Sequence, residues 1–322
     1  MVPIVSQPPN PAAQPQAALP GCWWHPNRPT GLSCSRCGRP ACPDCLREAP
    51  VGFQCTDCVQ AGSQQQRRRQ RSHQDAGVGQ RTVFGARLSQ SVLVTQVILA
   101  VNVLVFLFTA FQAKSLSDND FSNAFQYGEL YGSATLGGGE WWRVLTSGFL
   151  HFGPIHVAVN MFSLWMMGRS LEQITGRGRY LALYFISMLG ASAAVLLFDD
   201  PQKSTAGASG ALFGLMGAYA VIVLKLRLNP TGLLITLALN AFITFGIPGI
   251  SIYAHVGGLV TGALVTVALL YAPEVDQARW QAIGLVIIVV AIVGLLVWKD
   301  SQFAAQTCGL VPYRGVQLYN CT

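Results

Sequence analysis

Ser209, His255, His156 and Asn160 are the residues in this sequence whose types and spacing fit covalent catalysis. Ser209 sits in Gly207-Ala208-Ser209-Gly210, where the glycines free the backbone and leave room for a substrate strand beside the hydroxyl. A serine hydroxyl becomes a nucleophile when a base stands within hydrogen-bond reach. His255, in Ala254-His255-Val256-Gly257-Gly258, is the candidate base. His156 and Asn160 are four residues apart, so a helix presents them on one face, and both side chains can donate hydrogen bonds. Together with the backbone N–H of Ser209, they could hold the oxyanion that forms when a serine attacks a peptide carbonyl. Taken singly, each pattern has a plainer structural reading: a small-residue turn, a packing histidine, two polar residues joining helices. No cofactor is expected for this chemistry.

A second group could bind metal. Cys22-x2-His25, Cys34-x2-Cys37, Cys42-x2-Cys45 and Cys55-x2-Cys58 are four paired half-sites. Two-residue spacing lets a tight turn aim both ligands at one ion, and each tetrahedral zinc takes two such pairs, so two structural Zn2+ ions are expected. Few large apolar residues accompany them (Trp23, Trp24, Leu32, Leu46, Phe53), so metal would supply folding energy that a core this small cannot. The competing reading is a set of disulfides, which a reducing cytoplasm disfavours.

The elements that position these residues follow from composition. The chain is 51% hydrophobic and 11% charged, against about 25% charged for a soluble domain, so a membrane protein is the first reading. The runs 88–113, 144–168, 180–198, 204–224, 228–273 and 280–298 lack Asp, Glu, Lys and Arg. Five hold one span each; 228–273 breaks at Gly246-Ile247-Pro248-Gly249 into spans near 231–246 and 252–272, for a total of seven. Ser209 then opens span 4, His255 lies in span 6, and His156 and Asn160 lie in span 2. No Asp or Glu falls within these spans to orient His255. Gly210, Gly214 and Gly217 on span 4, with Gly258 and Gly262 on span 6, form small-residue faces that let the two helices approach closely.

Arg67, Arg68, Arg69, Arg71, Arg81 and Arg87 precede the first span and place the N-terminus in the cytoplasm; seven spans place the C-terminus outside. Residues 1–20 lack a signal-peptide pattern, so the first span is expected to serve as the insertion signal. The expected organisation is a disordered tail (1–20), a zinc-binding module (21–60), a basic linker without helical periodicity (61–87), a six-helix core (88–272), and a seventh helix with an outer tail (273–322). The loop 114–143 carries Tyr127, Tyr131, Trp141 and Trp142, residue types that favour the membrane interface. Cys308 and Cys321 in the outer tail would be able to form a disulfide or remain free thiols.

Together, Gly-x-Ser-Gly on span 4, Ala-His-x-x-Gly on span 6 and His-x-x-x-Asn on span 2 resemble rhomboid proteases, and Trp142-Arg143 and His151 also match the family's pattern. The resemblance covers about 114–272. It implies an all-α membrane protein with a rhomboid-like six-helix bundle, and a Ser209/His255 dyad cleaving transmembrane protein substrates within or near the outer leaflet. Phe213 departs from the tyrosine that many members carry there; it can stack on the histidine but cannot donate a hydrogen bond. The cysteine-histidine module resembles a B-box-type zinc finger. That resemblance implies interleaved ligand sets: Cys22, His25, Cys42 and Cys45 on one ion, Cys34, Cys37, Cys55 and Cys58 on the other. Sequential pairing is the alternative.

The expected function is therefore intramembrane proteolysis, in a bacterial plasma membrane, with a cytoplasmic protein partner for the zinc module. The alternative is a catalytically silent rhomboid-like protein that binds membrane clients. A transporter is disfavoured because no acidic ion site lies in a span. Nucleic acid is disfavoured because the arginines that give the net charge of +7 flank a span, where they anchor to the membrane lipid.

Overall fold

The structure, a computed structural model, describes residues 18–49, 51–75, 82–86, 91–246, 249–303, 308–313 and 316–321. Residues 1–17, most of the expected tail, and Arg81 and Arg87 lie outside the described residues, as do Ile247 and Pro248 of the expected turn. The chain divides into two units, Met1–Gly79 and Gln80–Thr322.

In the first unit, β1 (Leu46–Glu48) and β2 (Phe53–Cys55) pair antiparallel, with Leu46 opposite Cys55. Its core consists of Cys22, Cys34, Cys42, Cys45 and Cys55 around Ala41 and Leu46. Apolar burial this small leaves the thiols at the centre. Helix α1 (Thr56–Asp75) follows, running through part of the stretch expected to be an irregular linker. Gln and Arg are good helix formers without any apolar stripe, and Asp57 in the first turn complements the helix dipole. Hydrophobic periodicity therefore gave no sign of it.

Among its described residues, the second unit has seven long helices: α2 (Leu93–Ala113), then α6 (Gly153–Thr175), α7 (Arg177–Phe198), α8 (Ser209–Lys225), α9 (Thr231–Gly246), α10 (Ile252–Leu270) and α11 (Gln277–Phe303). Between α2 and α6 lie α3 (Asn123–Gly128), β3 (Leu130–Tyr131), α4 (Gly132–Leu136) and α5 (Arg143–Thr146). Helices α2, α7, α10 and α11 are long and apolar enough to cross a membrane. Helix α6 has the length, but His156, Asn160, Arg169 and Glu172 dilute its hydropathy. Helices α8 and α9 are apolar but shorter. Large apolar side chains such as Phe111, Ile155, Leu224 and Phe242 point outward with 76–81% exposure. Rows of such residues on several helices are stable against lipid, and the chain is an integral membrane protein.

Two boundaries differ from those expected. The second span begins at Gly153 rather than 144, because residues 143–149 coil into α5 and a short 3-10 turn. It also extends to Thr175 and so includes an acid, Glu172, which is almost fully buried. Glu172 accepts hydrogen bonds from the backbone N–H groups of Val94 (3.0 Å) and Thr95 (2.8 Å) and from the Thr95 hydroxyl (2.8 Å). Its carboxylate satisfies the orphan donors at the start of α2 and fixes that helix to α6. It does not orient His255.

The 114–143 loop is folded. Arg143 is fully buried: its Nε donates to Glu140 Oε2 (2.6 Å), and its Nη1 donates to the carbonyls of Gln126 (2.7 Å) and Glu129 (2.8 Å). Trp142 Nε1 donates to the Tyr127 carbonyl at 3.0 Å. Tyr131, expected at the interface, is instead buried, whereas Tyr127 and Trp142 are about half exposed. Strand β3 pairs with β4 (Ser204–Thr205), which ties this loop to the segment just ahead of Ser209.

The core centres on α10, which packs against α8 and α7. Glycines set the distance: a methyl group on Gly258 would overlap the Gly210 carbonyl, one on Gly262 the Gly214 carbonyl, and one on Gly217 the Leu259 carbonyl. Helix α11 joins through Gln281, whose Nε2 donates to the Leu269 carbonyl (2.7 Å) and the Phe84 carbonyl (3.1 Å). The chain ends in a hairpin, β5 (Cys308–Tyr313) and β6 (Val316–Cys321).

Candidate functional site

Ser209 begins α8 and His255 lies one turn into α10, so the Gly-mediated approach of these two helices decides whether they meet. They do: Ser209 Oγ is 3.0 Å from His255 Nε2. The histidine is 7% exposed. Phe213, one turn beyond Ser209, stacks on the imidazole with ring centroids 4.0 Å apart and planes at 12°. The other ring nitrogen, Nδ1, is 2.8 Å from Thr244 Oγ1 on α9. No sequence pattern drew attention to Thr244, since a threonine in an apolar helix is ordinary.

His156 and Asn160 stand one turn apart on α6. His156 Nδ1 accepts the N–H of Phe152 at 3.3 Å, which leaves Nε2 as the protonated nitrogen of a neutral ring. That nitrogen borders Gly207: a methyl group there would lie 3.0 Å from His156 Nε2, 2.9 Å from its Cε1, and 3.6 Å from Ser209 Oγ. Gly207 also has φ +136°, a region L side chains rarely adopt. The glycine thus keeps open the space shared by the hydroxyl and the imidazole N–H. Asn160 is 5% exposed, and its Nδ2 has no hydrogen-bond partner among the described residues. A buried donor without a partner is rare, and this one is available to a ligand. The N–H of Ser209, in the first turn of α8, also has no intrahelical acceptor.

His151 buttresses this arrangement. Its Nε2 accepts the Ala208 N–H at 3.5 Å, its carbonyl accepts Asn119 Nδ2 at 2.9 Å, and its ring meets His156 edge-on at 5.1 Å. Asn119 Oδ1 in turn accepts the Gly153 N–H at 2.9 Å, fixing the start of α6. A cavity of about 30 Å³, lined by Ser147, Gly148, Ala191, Ser209, Gly210 and Ala254, adjoins the hydroxyl. It has room for one water, which needs at least about 10–15 Å³. The arrangement places a hydroxyl within hydrogen-bond distance of an imidazole nitrogen, with His156 next to Gly207 on the same segment as Ser209.

In the N-terminal unit, the structure gathers Cys22, His25, Cys42 and Cys45 in one cluster and Cys34, Cys37, Cys55 and Cys58 in another, with the ligand atoms of each within 4.8 Å of one another. The sets are interleaved, not sequential. His25 Nδ1 lies 3.8, 3.6 and 3.4 Å from the sulfurs of Cys22, Cys42 and Cys45. Cys37 Sγ lies 3.7 Å from Cys55 Sγ. A tetrahedron with metal–sulfur bonds of about 2.3 Å and metal–nitrogen bonds of about 2.0–2.1 Å has edges of roughly 3.5 Å (S to N) and 3.8 Å (S to S), so both clusters fit a metal ion of that size. Crowding of the thiols acts on their protonation. Burial, then hydrogen bonds from Cys42 and Cys22, pushes Cys45 up to about 11, and hydrogen bonding to Cys55, then burial, pushes Cys58 to about 12. Cys22 and Cys34 fall to about 6: burial raises them, but backbone N–H groups, those of Cys42 and Cys55 foremost, outweigh it.

A family profile described as "Rhomboid domain" matches residues 138–272. The chain is 33% identical over 178 residues to "Rhomboid protease GluP" of Bacillus subtilis (strain 168), covering 54% of this chain and 34% of that protein. It is 32% identical over 133 residues to "Putative rhomboid protease YdcA" of the same organism, covering 40% of this chain and 67% of the relative. It is also 31% identical over 179 residues to "Inactive RHOMBOID-like protein 8" of Arabidopsis thaliana, covering 52% and 50%. The chain thus spans about a third of the first relative's length and half of the third's.

Proposed function

We propose that this chain, which belongs to the rhomboid family, is an intramembrane serine endopeptidase that cleaves transmembrane protein substrates through Ser209 and His255. The observation that carries this reading is the 3.0 Å contact between Ser209 Oγ and His255 Nε2 inside a helical membrane bundle. His255 takes the Ser209 proton as the oxygen attacks a peptide carbonyl, then gives it to the leaving amine. The oxyanion is met by His156 Nε2–H, Asn160 Nδ2 and the Ser209 N–H. Water reaching the adjacent cavity hydrolyses the acyl-enzyme, with His255 again as base. The test uses a transmembrane reporter: wild type should cleave it, and Ser209→Ala, correctly inserted, should not. Equal cleavage by both would remove the assignment.

A second reading, a catalytically silent client-binding protein, has support from the relative whose name marks it inactive. The paired Ser209 and His255 argue against it here. A serine-directed phosphonate separates the two, labelling Ser209 only where the dyad works.

The cysteine clusters are assigned to two structural zinc ions in a B-box-type module that recruits a cytoplasmic protein partner. The donor sets favour zinc, which prefers thiolate and imidazole, and four protein ligands at each ion leave no open position for catalysis. In this scheme the N-terminus is cytoplasmic, the C-terminus is outside, and the host membrane is a bacterial plasma membrane. The arginines ahead of α2 support that orientation.

A further inference from the structure

A Ser-His pair works only if the imidazole presents a lone pair to the serine, and so only in one of its two neutral tautomers. In soluble triads, a buried carboxylate on Nδ1 makes that selection. No carboxylate is hydrogen-bonded to His255 among the described residues; its Nδ1 faces Thr244 Oγ1 at 2.8 Å.

The direction of this bond follows from the threonine's other contact. Thr244 Oγ1 also lies 2.7 Å from the Asn240 carbonyl oxygen, one turn earlier on α9. A carbonyl can only accept, so the single hydroxyl proton of Thr244 goes to Asn240. Lone pairs are all that the hydroxyl has left for His255, which must therefore donate from Nδ1. The one proton of the neutral ring is then on Nδ1, and Nε2 is bare toward Ser209 Oγ at 3.0 Å. When His255 takes the serine proton, Nδ1–H still has its acceptor, and nothing need rearrange. Phe213 holds the ring plane by stacking but has no polar atom to choose the tautomer.

Back-bonding from a threonine to the carbonyl four residues earlier is common in apolar helices and by itself means little. Thr175, Thr236 and Thr266 do the same here, to Leu171, Gly232 and Gly262. What sets Thr244 apart is the acceptor face it turns, buried at 7% exposure, onto the candidate base.

We propose that Thr244 is the positioning residue of this site: its hydroxyl, polarised by the Asn240 carbonyl, holds His255 in the tautomer that can deprotonate Ser209. The inference rests on the protease reading above and adds a third member to the dyad.

The experiment compares full-length wild type, Ser209→Ala, Thr244→Val and Thr244→Ser in proteoliposomes with a transmembrane reporter. Valine keeps the shape and removes the acceptor, whereas serine keeps the acceptor. Thr244→Val should lower kcat on the order of 10- to 100-fold, less than the roughly 10⁴-fold lost when a triad carboxylate is neutralised. KM should stay within about twofold, since substrate contacts are not altered, and Tm should fall only by the modest amount that one lost buried acceptor costs. Thr244→Ser should keep at least about half of wild-type kcat, because the donor and acceptor inventory is the same. A Thr244→Val enzyme with full kcat, or a Thr244→Ser enzyme as slow as Thr244→Val, overturns the proposal. Nitrogen-15 NMR of histidine-labelled wild type supplies a reading that needs no variant to fold: Nδ1-protonated His255 is expected, and an Nε2-protonated ring overturns it. Wild-type cleavage no faster than Ser209→Ala would instead sink the protease reading, leaving the tautomer measurement to judge Thr244 alone.

Discussion

Gly258 on α10 lies so close to Gly210 on α8 that a methyl group on the first would overlap the carbonyl oxygen of the second. Gly210 follows Ser209, and Gly258 is one turn after His255, so this contact sets the separation of the proposed nucleophile and base. Gly258→Ala should therefore push the helices apart. Overpacking of this kind costs about 1–3 kcal/mol, and a displacement near 1 Å at a reacting pair can lower the rate about 10²-fold. The expected result is a lower Tm and a larger proportional loss of cleavage than of folded protein. Retention of both Tm and cleavage would mean that α8 and α10 can separate without moving the pair.

Asn160 offers a different kind of test, because its Nδ2 makes no hydrogen bond among the described residues despite its burial. A donor kept for the transition state contributes to rate and not to resting stability. Asn160→Ala should lower kcat about 10²-fold, at the lower end of what one oxyanion donor is worth, with Tm unchanged or slightly raised. His156→Ala should lower kcat as well, but with a fall in Tm, since its Nδ1 accepts the Phe152 N–H at the start of α6. Thermal unfolding and kinetics on the same preparations check both. A large loss of Tm in Asn160→Ala would make the residue a packing element.

The cysteine clusters predict a proton count. With Cys45 pushed up to about 11 and Cys58 to about 12, both thiols are protonated at pH 7 in the metal-free protein. Zinc binds thiolates, so uptake must expel these protons, and apparent affinity must rise with pH. Zinc added to metal-free protein in weak buffer at pH 7 should release at least two protons per chain, read with an indicator dye, and metal analysis should find two ions. Cys42→Ser should reduce metal to one ion while reporter cleavage persists. Metal uptake without proton release would contradict the assignment of thiolates as ligands.

Several parts of this arrangement were visible in the residues alone. A histidine and an asparagine in an apolar span are expensive without partners, which singled out His156, Asn160 and His255 before any contact was known. Regular glycine spacing announced the α8–α10 approach, and paired Cys and His spacings announced two clusters. Thr244 was not visible: threonine is common in apolar helices, and its role depends on α9 returning to α10 across a turn. Glu172 was missed because charge-free runs mark where a helix is apolar, not where it ends. Helix α1 was missed because it has no apolar face. For Thr244 and Glu172 the deciding contact joins segments whose proximity no local pattern records.

The register of the C-terminal hairpin carries the last prediction. Strands β5 and β6 pair Cys308 directly opposite Cys321. Opposed residues of an antiparallel pair have Cα atoms about 4.5–5.5 Å apart, inside the roughly 4.4–6.8 Å that a disulfide spans. On the oxidising side of a membrane such a pair should close, stabilising the tail by about 3 kcal/mol for a loop near 15 residues. The chain has nine cysteines. Alkylation of unreduced, denatured and chelator-treated protein taken directly from membranes should therefore block seven, nine minus the two in the bond, and reduction should expose the rest. Cys308→Ser should leave all eight remaining thiols reactive without reductant. If all nine react in unreduced wild type, Cys308 and Cys321 are free thiols and the hairpin is held by its strand pairing alone.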